Sequence, residues 1–255
     1  MKCLSFRHSA SVLSAAILAL LAPDALAQDS CKLAAIGTAT VAEVRDGRTL
    51  LLADGRELRL AAIEVTDASR EALQSIVGGR GVRLEQSGAA SDRYGRVVAF
   101  VYADDTGRSV QQAMLEQGHA RVSARIGNKA CAELLLGAER EARAARRGLW
   151  ADPNFAPLPS HDIARIAAAR GQFAIVEGKV LSVRESGATI YVNFGRRWTR
   201  DFAVTILKRQ RRDFAAAGFD PKELEGRRIR VRGWVEQRNG PMIQATVPEQ
   251  IEIAR

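Results

Sequence analysis

The alternation of apolar and polar positions first marks a β-hairpin near residues 49–65. An apolar run over residues 49–52 is followed by Asp54-Gly55 and by a second apolar run over residues 58–65. Asp-Gly between β-forming residues is the strongest short-range hairpin signal. We therefore expect two antiparallel strands joined by a tight turn.

Three charges set this hairpin apart. Arg59 lies inside the second apolar run, and Glu64 and Asp67 lie at its end. A charged group in an apolar strand costs free energy unless it is paired or takes part in chemistry. An exposed strand face would also accommodate one arginine, so the hairpin alone does not decide between the two interpretations.

Further elements follow along the chain. Helical spacing of apolar residues predicts a helix over residues 67–77, capped by Asp67 or Ser69 and stopped by Gly78-Gly79. Strands are predicted at residues 82–84 and 97–102, a short helix near 110–115, and a long helix over about 130–147. Together with the hairpin, this order predicts an OB-type five-stranded Greek-key barrel with helices over residues 28–151.

A second folded unit is predicted after a connector. Residues 152–159 are rich in proline, and we interpret residues 152–170 as a linker. Beyond them the pattern predicts three strands, at residues 173–183, 189–194 and 202–207, and then a helix over residues 208–217. A hairpin of two strands follows, at residues 228–235 and 242–247. That order is typical of a second small OB-like barrel, residues 171–255, so the fold class is α+β, mainly β with helices.

The N-terminal residues have the composition of a secretory signal. Lys2 and Arg7 precede a short apolar stretch, which ends in Ala25-Leu26-Ala27. This pattern predicts a signal peptide over residues 1–27 and cleavage before Gln28, with an uncleaved anchor as the alternative. The apolar stretch is short for a transmembrane helix. We expect an exported protein, periplasmic or secreted, without a transmembrane segment after processing.

The charge and the cysteine content indicate which partners and which kinds of site to expect. The net charge of +9 suits a polyanionic partner such as nucleic acid or an anionic envelope surface, although it also serves solubility. Cys31 and Cys131 remain after processing, and two cysteines in an exported chain indicate a disulfide. The sequence gives no support for a zinc site, a Ser-His-Asp arrangement or a glycine-rich phosphate loop.

Several separated motifs occur in a recognisable order. They are Asp46-Gly47-x-Thr49, Arg59-Leu60, the acidic residues Glu64 and Asp67, Asp92-Arg93-Tyr94-Gly95-Arg96, and Gly148-Leu149-Trp150. Over about residues 40–150 this order resembles the thermonuclease (staphylococcal nuclease) family. The resemblance implies a small barrel that cleaves the phosphodiester backbone of DNA and RNA with a calcium ion.

The resemblance also implies roles for individual residues. Arg59 and Arg96 match the two arginines that flank the phosphate, and a guanidinium fork suits two phosphate oxygens. Asp67 matches the water-orienting carboxylate, a Glu in the family. Glu64 matches a calcium-binding Asp, and Arg48 stands where the family places a further calcium-binding Asp.

Arg48 is the residue on which the expected calcium dependence of this site rests. It puts a positive charge beside the position of the calcium ion, which costs several kcal/mol at ~4 Å and the effective dielectric near a protein surface. We therefore expect calcium-dependent cleavage to be weakened or lost, with Arg48, Arg59 and Arg96 forming a metal-free phosphate cradle paired to Glu64 and Asp67.

Other interpretations of this site stay open. If Asp46 or Glu43 supplies the missing carboxylate, or Arg48 points outward, the protein is an active calcium-dependent nuclease. An inert salt-bridge cluster and a protein-interaction scaffold are the remaining alternatives.

The second predicted barrel carries its own candidate surface. Aromatic residues alternate with arginines there, and the residues singled out are Tyr191, Phe194, Trp198, Trp234, Arg196, Arg197, Arg200, Arg230 and Arg232. This mixture suits binding of DNA or RNA, single strands in particular, by base stacking and phosphate contact. The same aromatics would equally fill a small core, and strand arginines often protect sheet edges.

Overall fold

The computed structural model describes residues 31–86, 91–103 and 106–254. The predicted signal peptide, residues 1–27, lies outside the described residues. In the part of the chain that is described, no helix is long and apolar enough to cross a membrane.

The first folded unit is a closed barrel with helices packed on it. Its elements are β1 (Ala34–Val44), β2 (Thr49–Leu52), β3 (Glu57–Leu60), β4 (Ile63–Val65), α1 (Ser69–Val77), β5 (Gly81–Gln86), β6 (Val97–Tyr102), α2 (Val110–Glu116), β7 (Ala120–Val122) and α3 (Lys129–Ala144). The barrel order is β1-β2-β3-β6-β5, and only the β3–β6 pair within it is parallel. The predicted OB-type barrel is thereby confirmed.

An apolar core and one disulfide hold this unit together. Leu50, Leu58 and Phe100 are buried among the strands, and α1 and α3 cover them with further apolar side chains. The predicted disulfide is present between Cys31, which precedes β1, and Cys131 in the first turn of α3, with their Cα atoms 4.5 Å apart. It ties the start of the barrel to the longest helix.

Local details differ from the sequence predictions. The run over residues 58–65 is two strands, not one, because Ala62 adopts a left-handed conformation (φ 64°) that turns the chain between β3 and β4. Helix α1 begins after Ala68 without a side-chain cap, so neither Asp67 nor Ser69 caps it. The Ser69 hydroxyl instead donates to the carbonyl of His119 at 2.6 Å, which binds α1 to the segment before β7.

The second unit begins after two short 3-10 helices, Gly148–Ala151 and Pro153–Phe155. Its elements are β8 (Leu158–Pro159), α4 (Ile163–Ala168), β9 (Phe173–Lys179), β10 (Ser182–Ser186), β11 (Thr189–Asn193), β12 (Ala203–Leu207), a 3-10 turn (Lys208–Gln210), α5 (Arg211–Ala216), a 3-10 turn (Pro221–Leu224), β13 (Arg228–Gln237), β14 (Pro241–Gln244), a 3-10 turn (Pro248–Gln250) and β15 (Ile251–Ile253).

The second sheet repeats the strand order of the first barrel. The path runs β10-β11-β12-β14-β13-β9-β8, with β15 on β13 and β12–β14 parallel. Only Val180 and Leu181 separate β9 from β10, so the two can be counted as halves of one bent strand that pairs with β13 on one side and with β11 on the other. Counting that bent strand once, the order matches the first barrel, including the position of the parallel pair.

The segment 152–170, which the sequence analysis interprets as a linker, has structure of its own. Strand β8 pairs with β9, and Leu158 and Ile166 lie in the core of the second sheet. Residues 158–168 therefore pack with the second unit.

The two units share an interface with both apolar and charged contacts. Trp150 and Ala142 of the first unit pack against Phe173 and Ile175 of the second. Beside this cluster the guanidinium of Arg232 on β13 is buried against the carboxylate of Glu139 on α3. The close contacts across this boundary fix β13 relative to the first barrel.

Candidate functional site

A cavity of about 770 Å³ opens beside β3, β4 and the loop before β6. The charged residues of its lining are Arg59, Glu64, Asp92, Arg93, Arg96 and Arg125, and its aromatic residues are Tyr94 and Trp234. Both acidic residues are paired with arginine, as described below. The cavity lining therefore carries more positive than negative charge.

The turn over residues 92–96 positions one of these arginines. The Asp92 carboxylate accepts from the amides of Tyr94 (2.9 Å) and Arg96 (3.1 Å), and Gly95 supplies the left-handed residue that the turn needs (φ 78°). The same carboxylate accepts from Arg96 Nε at 2.8 Å. Burial raises the pKa of Asp92, but the hydrogen bonds from Arg96 and the two amides outweigh it and lower the pKa.

Arg59 lies on β3 and lines the cavity. Its side chain is half-buried, and among the described residues its guanidinium has no hydrogen bond and no ion pair. Burial lowers the pKa of Arg59, and the positive charges of Arg48 and Arg96 lower it further, more than the negative charges of Glu64 and Asp92 offset. A half-buried guanidinium beside two others is an arrangement that a bound anion would stabilise.

Arg48 turns inward rather than toward solvent. Its guanidinium forms a close ion pair with the Glu64 carboxylate and also donates to the carbonyl of Ile63 at 3.4 Å. Glu64 further lies opposite Arg121 in the β4–β7 pair. The carboxylate that matches a calcium ligand is thus already neutralised by arginine.

The other carboxylates do not form a calcium cage. Asp46 is exposed and accepts from the backbone N–H of Arg48 at 2.8 Å, while Glu43 pairs with Arg45 at 3.4 Å. Asp67 is exposed and lies outside the lining of the cavity. Within residues 31–86, 91–103 and 106–254, no cluster of three or more His, Cys, Asp or Glu residues is placed to hold a metal ion. Calcium takes six to eight oxygen ligands, so these residues do not fit it.

The comparison with known proteins identifies the family. The family model for the staphylococcal nuclease homologue matches residues 54–152. A relative from Escherichia coli named an uncharacterized endonuclease is 33% identical over 129 residues, which cover 47% of this chain and 79% of the relative. The chain belongs to the staphylococcal nuclease family.

Two further relatives have similar identities to the chain. The corresponding uncharacterized endonuclease of Escherichia coli O157:H7 is also 33% identical over 129 residues. A protein named ParB from Escherichia coli is 30% identical over 131 residues, covering 45% of this chain and 72% of the relative. The staphylococcal nuclease match ends at residue 152, so the second sheet lies beyond it. The family match over residues 54–152 confirms the family resemblance, which the motifs predict for about residues 40–150.

The aromatic residues and arginines singled out in the second unit do not all lie together in the structure. Tyr191 and Trp198 line a second cavity of about 700 Å³, together with Arg184, Arg196 and Arg238. Trp234 lies in the first cavity instead, and Arg200 lines neither. Arg232 is fully buried in an ion pair with Glu139 and so is not exposed to a nucleic-acid ligand.

Two features of the first cavity are not predicted from the sequence. Asp92 belongs to a motif noted there, but its function of orienting Arg96 follows only from the folded turn. Trp234 is 175 positions after Arg59 in the sequence, and no local pattern connects β13 with β3. Only the packing of the two units brings this indole into the cavity.

Proposed function

We propose that the protein binds nucleic-acid phosphate in the cavity of the first barrel, with calcium-dependent phosphodiester cleavage weakened or lost. The observation that carries this proposal is Arg59, a half-buried guanidinium beside Arg48 and Arg96 that has no acceptor among the described residues. Phosphate oxygens are the acceptors that such a group binds best, in pairs where geometry allows.

The state of the acidic residues favours binding over metal-dependent hydrolysis. The family is calcium-dependent in general, and its chemistry needs a cation that binds phosphate and activates water. Here Glu64 is committed to Arg48, and Asp92 to Arg96. In this proposal Arg59 and Arg96 contact the phosphate, and Arg48 holds Glu64 in place of a metal.

The test compares binding and cleavage in one preparation. Fluorescence anisotropy with labelled DNA and RNA oligonucleotides, in chelator and then in excess calcium, should give the same affinity in both conditions. Gel analysis of the same samples should find intact strands. Affinity should fall with rising salt, because phosphate contacts release counterions.

Matched variants localise the contact. Arg59→Gln should weaken binding by about one to two orders of magnitude, as expected for hydrogen bonds to a charged group. Arg108→Gln removes the same charge from an exposed arginine paired with Glu116 outside the cavity, and should have little effect. Calcium-dependent cleavage would favour the alternative of an active nuclease, and absence of binding at low salt would favour a protein-interaction scaffold.

We further propose that the protein is exported, to the periplasm or beyond the cell. The disulfide between Cys31 and Cys131 is consistent with an oxidising compartment. Fractionation followed by N-terminal sequencing should find Gln28 at the start of the extracytoplasmic protein. Recovery of the full-length chain from the cytoplasm would contradict this proposal.

A further inference from the structure

Trp234 lies in the cavity of the first barrel although it belongs to the second unit. This indole from β13 lines the same cavity as Arg59 and Arg96. Trp234 is 51% exposed, whereas Trp150, which packs in the interface, is only 7% exposed. A tryptophan whose role is packing alone would be expected to bury most of its ring, as Trp150 does.

The position of the indole is set by its strand. Side chains alternate along β13, so that Val231 and Val235 enter the core of the second sheet while Arg232 and Trp234 share the opposite face. Arg232 is held by Glu139 of the first unit, which fixes this face against α3. The strand is therefore anchored two residues before Trp234.

Neighbouring side chains restrict the ring further. Phe173 lies opposite Trp234 in the β13–β9 pair, and its ring meets the indole edge-on at a centroid distance of 6.4 Å. Gly233 packs so tightly that an added Cβ would come within 2.6 Å of Ile243 Cγ2. The backbone of β13 is thus tightly packed beside Trp234, and Phe173 lies against one side of the indole.

An exposed indole beside guanidinium groups has a specific chemical use. The guanidiniums take phosphate, and a flat apolar ring takes the face of a nucleobase. Bases within a duplex are already stacked on their neighbours, so their faces are accessible only after unpairing. The location of Trp234 therefore favours a ligand with an unpaired base next to a phosphate.

We propose that Trp234 is a nucleobase-stacking residue of the first-barrel site, so that the second unit completes this site and selects single-stranded over duplex nucleic acid. This inference rests on the proposed function, since it requires phosphate in the same cavity. It assigns the second unit a direct contact with the ligand of the first.

The experiment separates base contacts from phosphate contacts. The full chain is titrated with a short single-stranded oligothymidine, with an abasic strand of the same length, and with a duplex of the same length. Wild type should bind oligothymidine more tightly than either other probe. Trp234→Ala should lower the affinity for oligothymidine roughly five- to a hundredfold and leave the affinity for the abasic strand unchanged. Trp234→Phe should retain most of the affinity for oligothymidine.

Two controls make the outcomes distinct. Arg59→Gln should weaken both single-stranded probes, because both carry phosphate. Ile253→Ala removes exposed apolar surface from the neighbouring strand β15, outside the cavity, and should change neither. In a Trp198→Phe background, oligothymidine should quench fluorescence, since the other remaining indole, that of Trp150, is buried.

Each failure has its own meaning. If wild type binds no probe at low salt, the phosphate site itself is overturned, and the inference with it. If wild type binds both single-stranded probes and Trp234→Ala binds oligothymidine as well as wild type does, the stacking role alone is overturned. Equal affinity for duplex and single strand would likewise overturn the selection of unpaired bases.

Discussion

Arg232 and Glu139 form a buried ion pair across the boundary between the two units, with Nη1 of the arginine 2.8 Å from Oε2 of the glutamate. The side chains retain 1% and 0% exposure. Arg232 also pairs with Glu252 and donates to the carbonyl of Val122 at 3.1 Å. Glu139 accepts from the amide of Val122 at 2.6 Å and from Arg143 at 3.0 Å. Every charge in this cluster has a partner, which is the condition for burying it.

The first prediction concerns this pair. Glu139→Gln should destabilise the fold by about 3 kcal/mol, because a buried arginine loses its main counter-charge. Glu133→Gln on the exposed side of the same helix is the matched control and should be near neutral. Urea denaturation followed by circular dichroism measures both. Equal midpoints for Glu139→Gln and wild type would contradict the interpretation.

The second prediction is the pH dependence of the same contribution. Burial raises the pKa of Glu139, but Arg232 and the Val122 amide outweigh it and hold the pKa below its ordinary value of 4.5. A carboxyl with a depressed pKa contributes its full stabilisation above pH 4.5 and loses it as the pH falls through the folded-state value. The stability difference between wild type and Glu139→Gln should therefore be largest near neutral pH and shrink in acid. A constant difference in denaturation midpoints would exclude this linkage.

Sequence patterns predict most strands of the two units well and the packing between the units poorly. Strand β6 is predicted with its observed bounds, residues 97–102, because a continuous apolar run stands between clear turns. Strand β1 is not predicted, because most of its side chains are exposed and the apolar alternation along it is weak. Local periodicity reports which face of a strand is buried, but only within its own sheet.

In the candidate site too, local motifs predict some residues, whereas contacts between distant parts of the chain are not predicted. Arg59 and Arg96 follow from motifs, and the predicted pairing of Glu64 occurs with Arg48. Asp67, which was expected to pair with the same arginines, has no ion pair among the described residues and stays outside the cavity. The partner of Arg232 is 93 residues earlier in the chain, a distance over which sequence spacing carries no information.

The third prediction concerns the disulfide. Replacing Cys31 and Cys131 together by serine should lower the free energy of unfolding by up to roughly 4–5 kcal/mol, the loop-entropy value for a closed segment of this length. Thiol titration of the denatured protein beginning at Gln28 should find no free thiol. Reductant should destabilise wild type and leave the double variant unchanged. Two reactive thiols in the untreated protein would show the bond absent in solution.

The fourth prediction addresses the second cavity, for which we propose a further contact with single-stranded nucleic acid. Tyr191 and Trp198 line it with three arginines, and the Trp198 side chain is 69% exposed. In a Trp234→Phe background, a long oligonucleotide should quench the fluorescence of Trp198, and salt should reverse the quenching. Absence of quenching at low salt, or quenching indifferent to salt, would contradict this contact.

The last prediction concerns Arg48, which in the proposed function prevents calcium from binding beside the cavity of the first barrel. Arg48→Asp together with Glu64→Asp removes the guanidinium from the calcium position and frees a carboxylate of the length used in the family. Calcium affinity measured by calorimetry should appear, and cleavage of an oligonucleotide should rise by orders of magnitude, since a metal supplies several kcal/mol of transition-state stabilisation. Adding Asp67→Glu tests the water-orienting position and should raise the rate further only if the longer side chain reaches the cavity.

The control for this change removes the positive charge of Arg48 without adding a calcium-binding carboxylate. Arg48→Gln also releases Glu64 from its ion pair but adds no carboxylate, so it should gain neither calcium binding nor cleavage. Removing the partner of Glu64 without metal should also lower stability slightly, because the pair is only partly exposed. Robust calcium-dependent cleavage by the unmodified protein, abolished by Glu64→Ala, would show that Arg48 does not block the metal site and that the protein is an active nuclease.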